Sequence, residues 1–326
     1  MSANKKRLLL PGTMARPGWE ILKSRDDVEA IPYSPRIEPG DFHPLLADVD
    51  GVALALTPFG APELAASPRL RVVARIGVGF DTVDVPALTA KRIPLMTVGT
   101  ANAPSVAEQA FSMMFHLAKR NAQHDASVRA GTWREQMTAF PVDFLGKTLL
   151  TVGFGRIGTR VAKRALAFEM RVLAYDPYVP AADIRAAGCE PVADLDAAVA
   201  EADFITIHCP KNAETVDLFD GPRLARMKPT AFIVNTARGG IVNEQALAAA
   251  LAAGQIAGAG VDVFEQEPPP PDHPLLKLPN VVLAPHMAGV TREAMERMAV
   301  AAVRNILSVL DGRPLRENAV NPEVFD

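Results

Sequence analysis

Short apolar runs, each closed by Gly, Pro or Asp, alternate along this chain with longer segments rich in Ala and Leu. That alternation predicts βα units around parallel sheets, and so an α/β protein. The first strand-like runs are residues 7–10, 52–56, 71–76 and 94–98. Residues 104–129 carry a long helical pattern, with Pro104 at its start and Ser105 and Glu108 spaced as a capping pair. A second alternation follows, with strand candidates at 148–152, 171–175, 204–208, 231–235, 258–261 and 281–283. Six strands are what a full dinucleotide-binding sheet requires. Residues 291–310 return to a helical pattern that Asp311-Gly312-Arg313-Pro314 should stop. The pattern predicts a substrate domain of residues 1–99 with 287–326, and an inserted dinucleotide-binding domain of residues 100–286. The Pro run at 268–271 should be a stiff surface loop.

Composition narrows the function classes. A net charge of -3, with 49% hydrophobic and 22% charged residues, excludes disorder and gives no basic field for nucleic acid. Lys5-Lys6-Arg7 precedes only three leucines before Pro11, too short a run for a signal peptide or a membrane span. The only two cysteines, Cys189 and Cys209, cannot build a disulfide framework, so a cytoplasmic protein is expected. His, Asp and Glu show no metal-ligand spacing, and no metal is expected.

The chemistry begins at Gly153-Phe-Gly155-Arg156-Ile157-Gly158, directly after the strand candidate 148–152 and before a helical run. That context makes the glycines a pyrophosphate-binding turn: Gly153 for the bend, Gly155 for close approach of the ligand, Gly158 for helix–strand contact. Asp176 ends the next strand, 176 − 158 = 18 residues on, where a carboxylate would accept from a ribose diol and repel a 2′-phosphate. NAD is therefore favoured over NADP. The competing reading of Asp176 is a turn residue before Pro177.

Arg238, Glu267 and His286 each follow a strand candidate, and ligands of open α/β sheets bind beyond the carboxyl ends of the strands. Singly, each also reads as an ordinary surface, loop or capping residue. Together with Ile76 to Asp84, Asn102 to Glu108, His208-Cys209-Pro210, Asn235 to Gly240, Asp262 to Pro268 and Pro285 to Gly289, they make the sequence resemble the D-isomer-specific 2-hydroxyacid dehydrogenase family over nearly its whole length.

The resemblance implies two Rossmann-like doubly wound domains, a flavodoxin-like substrate domain and an inserted NAD-binding one, with catalysis in the cleft between them and dimerisation through the cofactor domain. It implies that His286 is the acid/base, that Glu267 holds it and favours the imidazolium, and that Arg238 grips the substrate carboxylate. Backbone N–H groups of Val78 and Gly79 would add a second carboxylate contact. Around NAD it places Gly153, Gly155, Arg156, Ile157, Gly158, Asp176, His208, Cys209, Pro210, Thr236, Ala237, Arg238, Asp262, His286 and Gly289. Asp262 reads equally as a nicotinamide contact or as a turn cap, and Cys209 as a small buried filler. His43, His116, His124 and His273 have no recognisable partners.

For the substrate, the loop Leu56-Thr57-Pro58-Phe59-Gly60 offers no charge to a phosphate, although Arg75 or Arg134 could reach the same space. Thr57 and Phe59 there suggest a small 2-hydroxy or 2-oxo acid of the glyoxylate or hydroxypyruvate kind. Phosphoglycerate oxidation is the alternative, and an NAD(H)-sensing interaction protein without turnover is the reading from another class.

Overall fold

The computed structural model describes residues 5–137 and 139–326. The chain folds as two units, Met1–Asn102 with Val290–Asp326, and Ala103–Gly289. The first holds five parallel strands, β1 (Lys6–Pro11), β2 (Val28–Tyr33), β3 (Gly51–Leu54), β4 (Val72–Arg75) and β5 (Leu95–Met96), in the order β2-β1-β3-β4-β5. This is the flavodoxin-like order. Strand β2 was not among the expected runs, and its sequence shows why: Val-Glu-Ala-Ile-Pro-Tyr is a partly exposed edge, where Glu and Pro are tolerated.

Strand alternation sorts the core of this unit into two layers. Leu8, Leu10, Val72 and Ala74 pack with Met298, Ala302 and Ile306 of the helix Arg292–Leu310. Leu9, Val52, Leu54 and Val73 face the other way, towards Phe42, Phe59 and Leu88. The helix begins where the side chain of Thr291 accepts from Ala294 N–H, and it stops before Gly312 at φ 73°.

The second unit has seven parallel strands: β6 (Thr148–Val152), β7 (Arg171–Tyr175), β8 (Glu190–Pro191), β9 (Phe204–Ile207), β10 (Phe232–Asn235), β11 (Gly258–Val261) and β12 (Val281–Leu283). Their order, β12-β11-β10-β9-β6-β7-β8, is the Rossmann order with one more strand at the edge. The addition to the six expected strands is β8, only two residues long and so without any periodicity to read. Strands β6, β9, β10 and β11 are buried on both faces, which is why they read as continuous apolar runs.

The long helix expected over 104–129 is two helices, Ala103–Lys119 and Asn121–Arg129, parted at Arg120, whose φ of 52° is left-handed. Ser105 lies inside the first of them, buried, and Glu108 meets Arg164 at 3.1 Å. Among the described residues no helix is long and apolar enough to cross a membrane. What the topology gives the site is its location: β6 has β7 on one side and β9 on the other, so the chain reverses direction around it. The crevice at such a reversal lies at the carboxyl ends of β6 and β9.

Candidate active site

At that reversal the glycine turn is packed too closely for side chains. A Cβ on Gly153, where φ is 95°, would lie 2.6 Å from the backbone nitrogen of Cys209 and 2.7 Å from the carbonyl carbon of His208. A Cβ on Gly158, the first residue of the helix Gly158–Ala167, would lie 2.0 Å from the carbonyl oxygen of Gly153. These two glycines weld turn, helix and the His208–Pro210 loop into one piece. Gly155 is different: its Cβ would meet nothing within 4 Å, so the chain leaves open space beside the helix N-terminus. Arg156 is exposed beside it and Ile157 half-buried.

Asp176 follows β7 and does two jobs in the backbone. Its Oδ2 accepts from Phe154 N–H at 2.8 Å and its Oδ1 from Tyr178 N–H at 2.9 Å. The second bond is the turn before Pro177, and the first ties the carboxylate to the glycine turn. Each oxygen retains a lone pair for another donor. On the β9 side, His208 Nε2 meets Thr206 Oγ1 at 2.9 Å, and burial pushes the imidazole down to about 3. His208 is therefore neutral at physiological pH. Burial likewise pushes the Cys209 thiol up to about 11, which leaves it protonated and unreactive. Pro210 is exposed at the end of this loop.

Arg238 follows β10, Glu267 follows β11 and His286 follows β12. The imidazole of His286 presents Nδ1 to Glu267 Oε2 at 2.7 Å. A carboxylate only accepts, so Nδ1 donates and Nε2 is left for a ligand. His286 sits at φ 55°, a conformation that a branched or bulky residue rarely holds without support. Asp262 supplies it: its carbonyl accepts from His286 N–H at 2.7 Å, and its carboxylate accepts from Met287 N–H at 2.8 Å and Ala288 N–H at 2.9 Å. Of the two roles expected for Asp262, these contacts are those of the turn cap. Burial raises its pKa, and the two N–H groups act in the opposite sense. Gly289 follows, half-buried.

Arg238 is set by its own turn. Asn235, buried at the end of β10, accepts from Ala237 N–H at 3.0 Å and donates to the Arg238 carbonyl at 2.9 Å. The guanidinium is half-buried and donates to the Ala237 carbonyl at 2.7 Å. Thr236 and Ala237 are buried beside it, and Thr236 Oγ1 has no hydrogen-bond partner among the described residues.

In the first unit the expected substrate loop looks different from its sequence. Phe59 is 1% exposed and belongs to the core, and Thr57 is buried with its hydroxyl 3.5 Å from that of Tyr33. Phe59 is therefore corrected from a substrate contact to a core residue; the large side chain that this loop exposes is Leu56, at 78%. The strand run expected over 52–56 did not reveal it, because the chain leaves the strand after Leu54. Val78 and Gly79, both half-buried, follow β4, and Arg75 there donates to the carbonyls of Gly79 at 2.8 Å and Leu54 at 3.1 Å. Arg75 thus shapes both loops, and Arg134 pairs with Glu135 at 3.2 Å.

Residues 111–288 match the family model described as D-isomer specific 2-hydroxyacid dehydrogenase, NAD binding domain. The chain belongs to that family. It is 42% identical over 281 residues to the glyoxylate reductase of Korarchaeum cryptofilum, covering 85% of this chain and 84% of that protein. It is 41% identical over 270 residues to the D-3-phosphoglycerate dehydrogenase of Archaeoglobus fulgidus, covering 83% of this chain. The match spans 51% of that dehydrogenase, so the chain corresponds to about half the length of this relative. The crystal structure of a glyoxylate reductase from Paecilomyes thermophila superposes with a TM-score of 0.86 at 29% identity, over 98% of this chain and 99% of that one.

The second unit is accordingly the one that matches the family's NAD-binding domain, and its details fit the cofactor. Open space beside Gly155, a carboxylate with spare lone pairs at Asp176 and an unpartnered hydroxyl at Thr236 are what a dinucleotide would meet. The sequence reading missed the buried pair of His273 and Glu244, whose side chains meet at 2.9 Å. They stand 273 − 244 = 29 residues apart on different elements, and no local pattern connects them.

Proposed function

We propose that this 2-hydroxyacid dehydrogenase transfers a hydride between NAD(H) and C2 of a small 2-hydroxy or 2-oxo acid of the glyoxylate or hydroxypyruvate kind. The observation that carries the proposal is the bond of His286 Nδ1 to Glu267 at 2.7 Å, which leaves Nε2 for the reacting oxygen. NADH supplies the hydride. In reduction His286 gives its Nε2 proton to the oxygen at C2, and in oxidation it takes that proton back. The planar fork of Arg238 suits the substrate carboxylate. Leu56 at the surface of the uncharged loop favours a small unphosphorylated side group.

The 41% identity to a phosphoglycerate dehydrogenase favours 3-phosphohydroxypyruvate as the second reading. Homodimerisation through the NAD-binding domain belongs to the proposal, supported by the exposed Trp133, Phe140 and Leu145. So does a cytoplasmic location, which suits two free thiols.

A panel of 2-oxo and D- or L-2-hydroxy acids, including the phosphorylated compound, assayed with NADH, NADPH and their oxidised forms, tests the whole reading. Turnover of glyoxylate or hydroxypyruvate with NADH is expected; binding of NADH with no consumption across the panel would refute it. In the same assay Asp176→Ala should weaken NADH and narrow its advantage over NADPH. A wild-type preference for NADPH would show that Asp176 serves only its turn.

A further inference from the structure

We propose that Glu244 and His273 are positioning residues for the Glu267–His286 pair, holding the segment from which Glu267 projects; the inference rests on the hydride-transfer reading of that pair. Glu244 and His273 are only 8% and 7% exposed. Burying a carboxylate and an imidazole is costly unless both are hydrogen-bonded, so their use has to be found in what they bind. Glu244 is the first residue of the helix Glu244–Ala252, and Asn243 already caps that helix by accepting from Ala246 N–H. The Glu244 carboxylate is therefore available to reach outward. Its Oε1 accepts from Glu265 N–H at 2.6 Å, and its Oε2 accepts from His273 Nε2 at 2.9 Å. The His273 ring also stands edge-on to Phe264, with centroids 5.6 Å apart at 86°.

Both contacts converge on Phe264 and Glu265, which lie beyond the end of β11 and have no ladder to hold them. The same two residues control the reacting groups. Phe264 N–H donates to Glu267 Oε1 at 3.0 Å, so the Glu267 carboxylate is strung between this amide and His286. The Phe264–Glu265 peptide also lies directly on Gly239, whose Cβ would be 2.0 Å from Phe264 C. Gly239 is the residue after Arg238. A shift of the backbone over 263–265 would therefore turn the Glu267 carboxylate away from His286 and disturb the Arg238 turn together, and the Glu244–His273 pair is what fixes it from behind.

The test compares the full-length wild type with Glu244→Ala, Glu244→Gln, His273→Gln, Glu267→Gln and the double variant Glu244→Ala/Glu267→Gln. Two readouts are taken: steady-state turnover, and the low-field proton NMR resonance of the His286 Nδ1–H bond, assigned by its loss in His286→Gln. Glu244→Ala should lower kcat about tenfold with NADH Kd within about twofold, and should move the resonance upfield. In the Glu267→Gln background it should cost about threefold or less, because the share that acts through this carboxylate is already lost and only the share passing through the Arg238 turn remains. His273→Gln can still donate to Glu244 and should keep kcat within about threefold of wild type. Glu244→Gln is isosteric but must turn its amide nitrogen towards one of two donors, and it should move the resonance in the same direction even if the alanine variant fails to fold. Losses that multiply in the double variant, or a resonance unmoved by either Glu244 substitution, would overturn the proposal. The NMR readout needs no substrate, so a wild type silent towards every 2-oxo acid would count against the hydride-transfer reading while this inference was still decided.

Discussion

His286→Gln should lower kcat by about 10²–10⁴ while leaving the Kd of NADH within about twofold, because it removes the proton donor and little else. Glutamine keeps a side-chain amide to donate to Glu267, and the bonds from Asp262 are to the main-chain N–H groups of His286, Met287 and Ala288, which the substitution does not touch. No nearby histidine can take over. His208, the other imidazole at the carboxyl ends of the strands, is pushed down to about 3 by burial, and its Nε2 is spent on Thr206. Glutamine is uncharged and holds no exchangeable acid proton, so turnover should not recover across the neutral pH range. Stopped-flow measurement of NADH consumption, with binding followed separately by NADH fluorescence, separates the two effects. Turnover within threefold of wild type would remove His286 from its role.

The central strands were legible because burial on both faces leaves a direct mark on composition, as in Leu149-Leu150-Thr151-Val152 and Phe232-Ile233-Val234-Asn235. Edge strands leave none: β2 carries Glu and Pro, and β8 is two residues long. The break at Arg120 was hidden for a different reason: Asn121–Arg129 is polar with no buried face, so only the left-handed φ of one ordinary residue marks the turn.

The site divides in the same way. Gly153, Gly158 and Asp176 could be picked out because their chemistry is tied to short spacings along the chain. Phe59 could not be placed, since an aromatic at the mouth of a strand reads alike whether it faces a ligand or, as here, the core. Glu244 and His273 were invisible for a stronger reason. Their partners are a backbone N–H and each other, brought together by the packing of a helix on a loop, and nothing in either residue's neighbourhood records that contact. Support residues of this kind can be found only once the fold is known.

Gly239→Ala should cost stability and activity together, whereas Gly155→Ala should cost only cofactor affinity. A Cβ at Gly239 would lie 2.0 Å from Phe264 C, 2.1 Å from its oxygen and 2.3 Å from Glu265 N, all of them backbone atoms that cannot swing aside. Relief requires the 238–240 turn and the 264–265 peptide to separate by an ångström or more. Overpacking of this kind costs about 3 kcal/mol, at the upper end of its usual range. Moving Arg238 or Glu267 by roughly 1 Å should lower kcat about 10²-fold. Gly155 has no protein atom within 4 Å of the added methyl, so its variant should melt like wild type. Its methyl would instead enter the space beside the helix N-terminus where the pyrophosphate would lie, raising the Kd of NADH by about tenfold or more. Thermal melts, NADH titration and kcat measured on the two variants side by side distinguish the two kinds of glycine. A Gly239→Ala protein with wild-type kcat would mean that the Arg238 turn and the Phe264–Glu265 peptide can part without moving the groups that react, and the mechanical link between them would have to be abandoned.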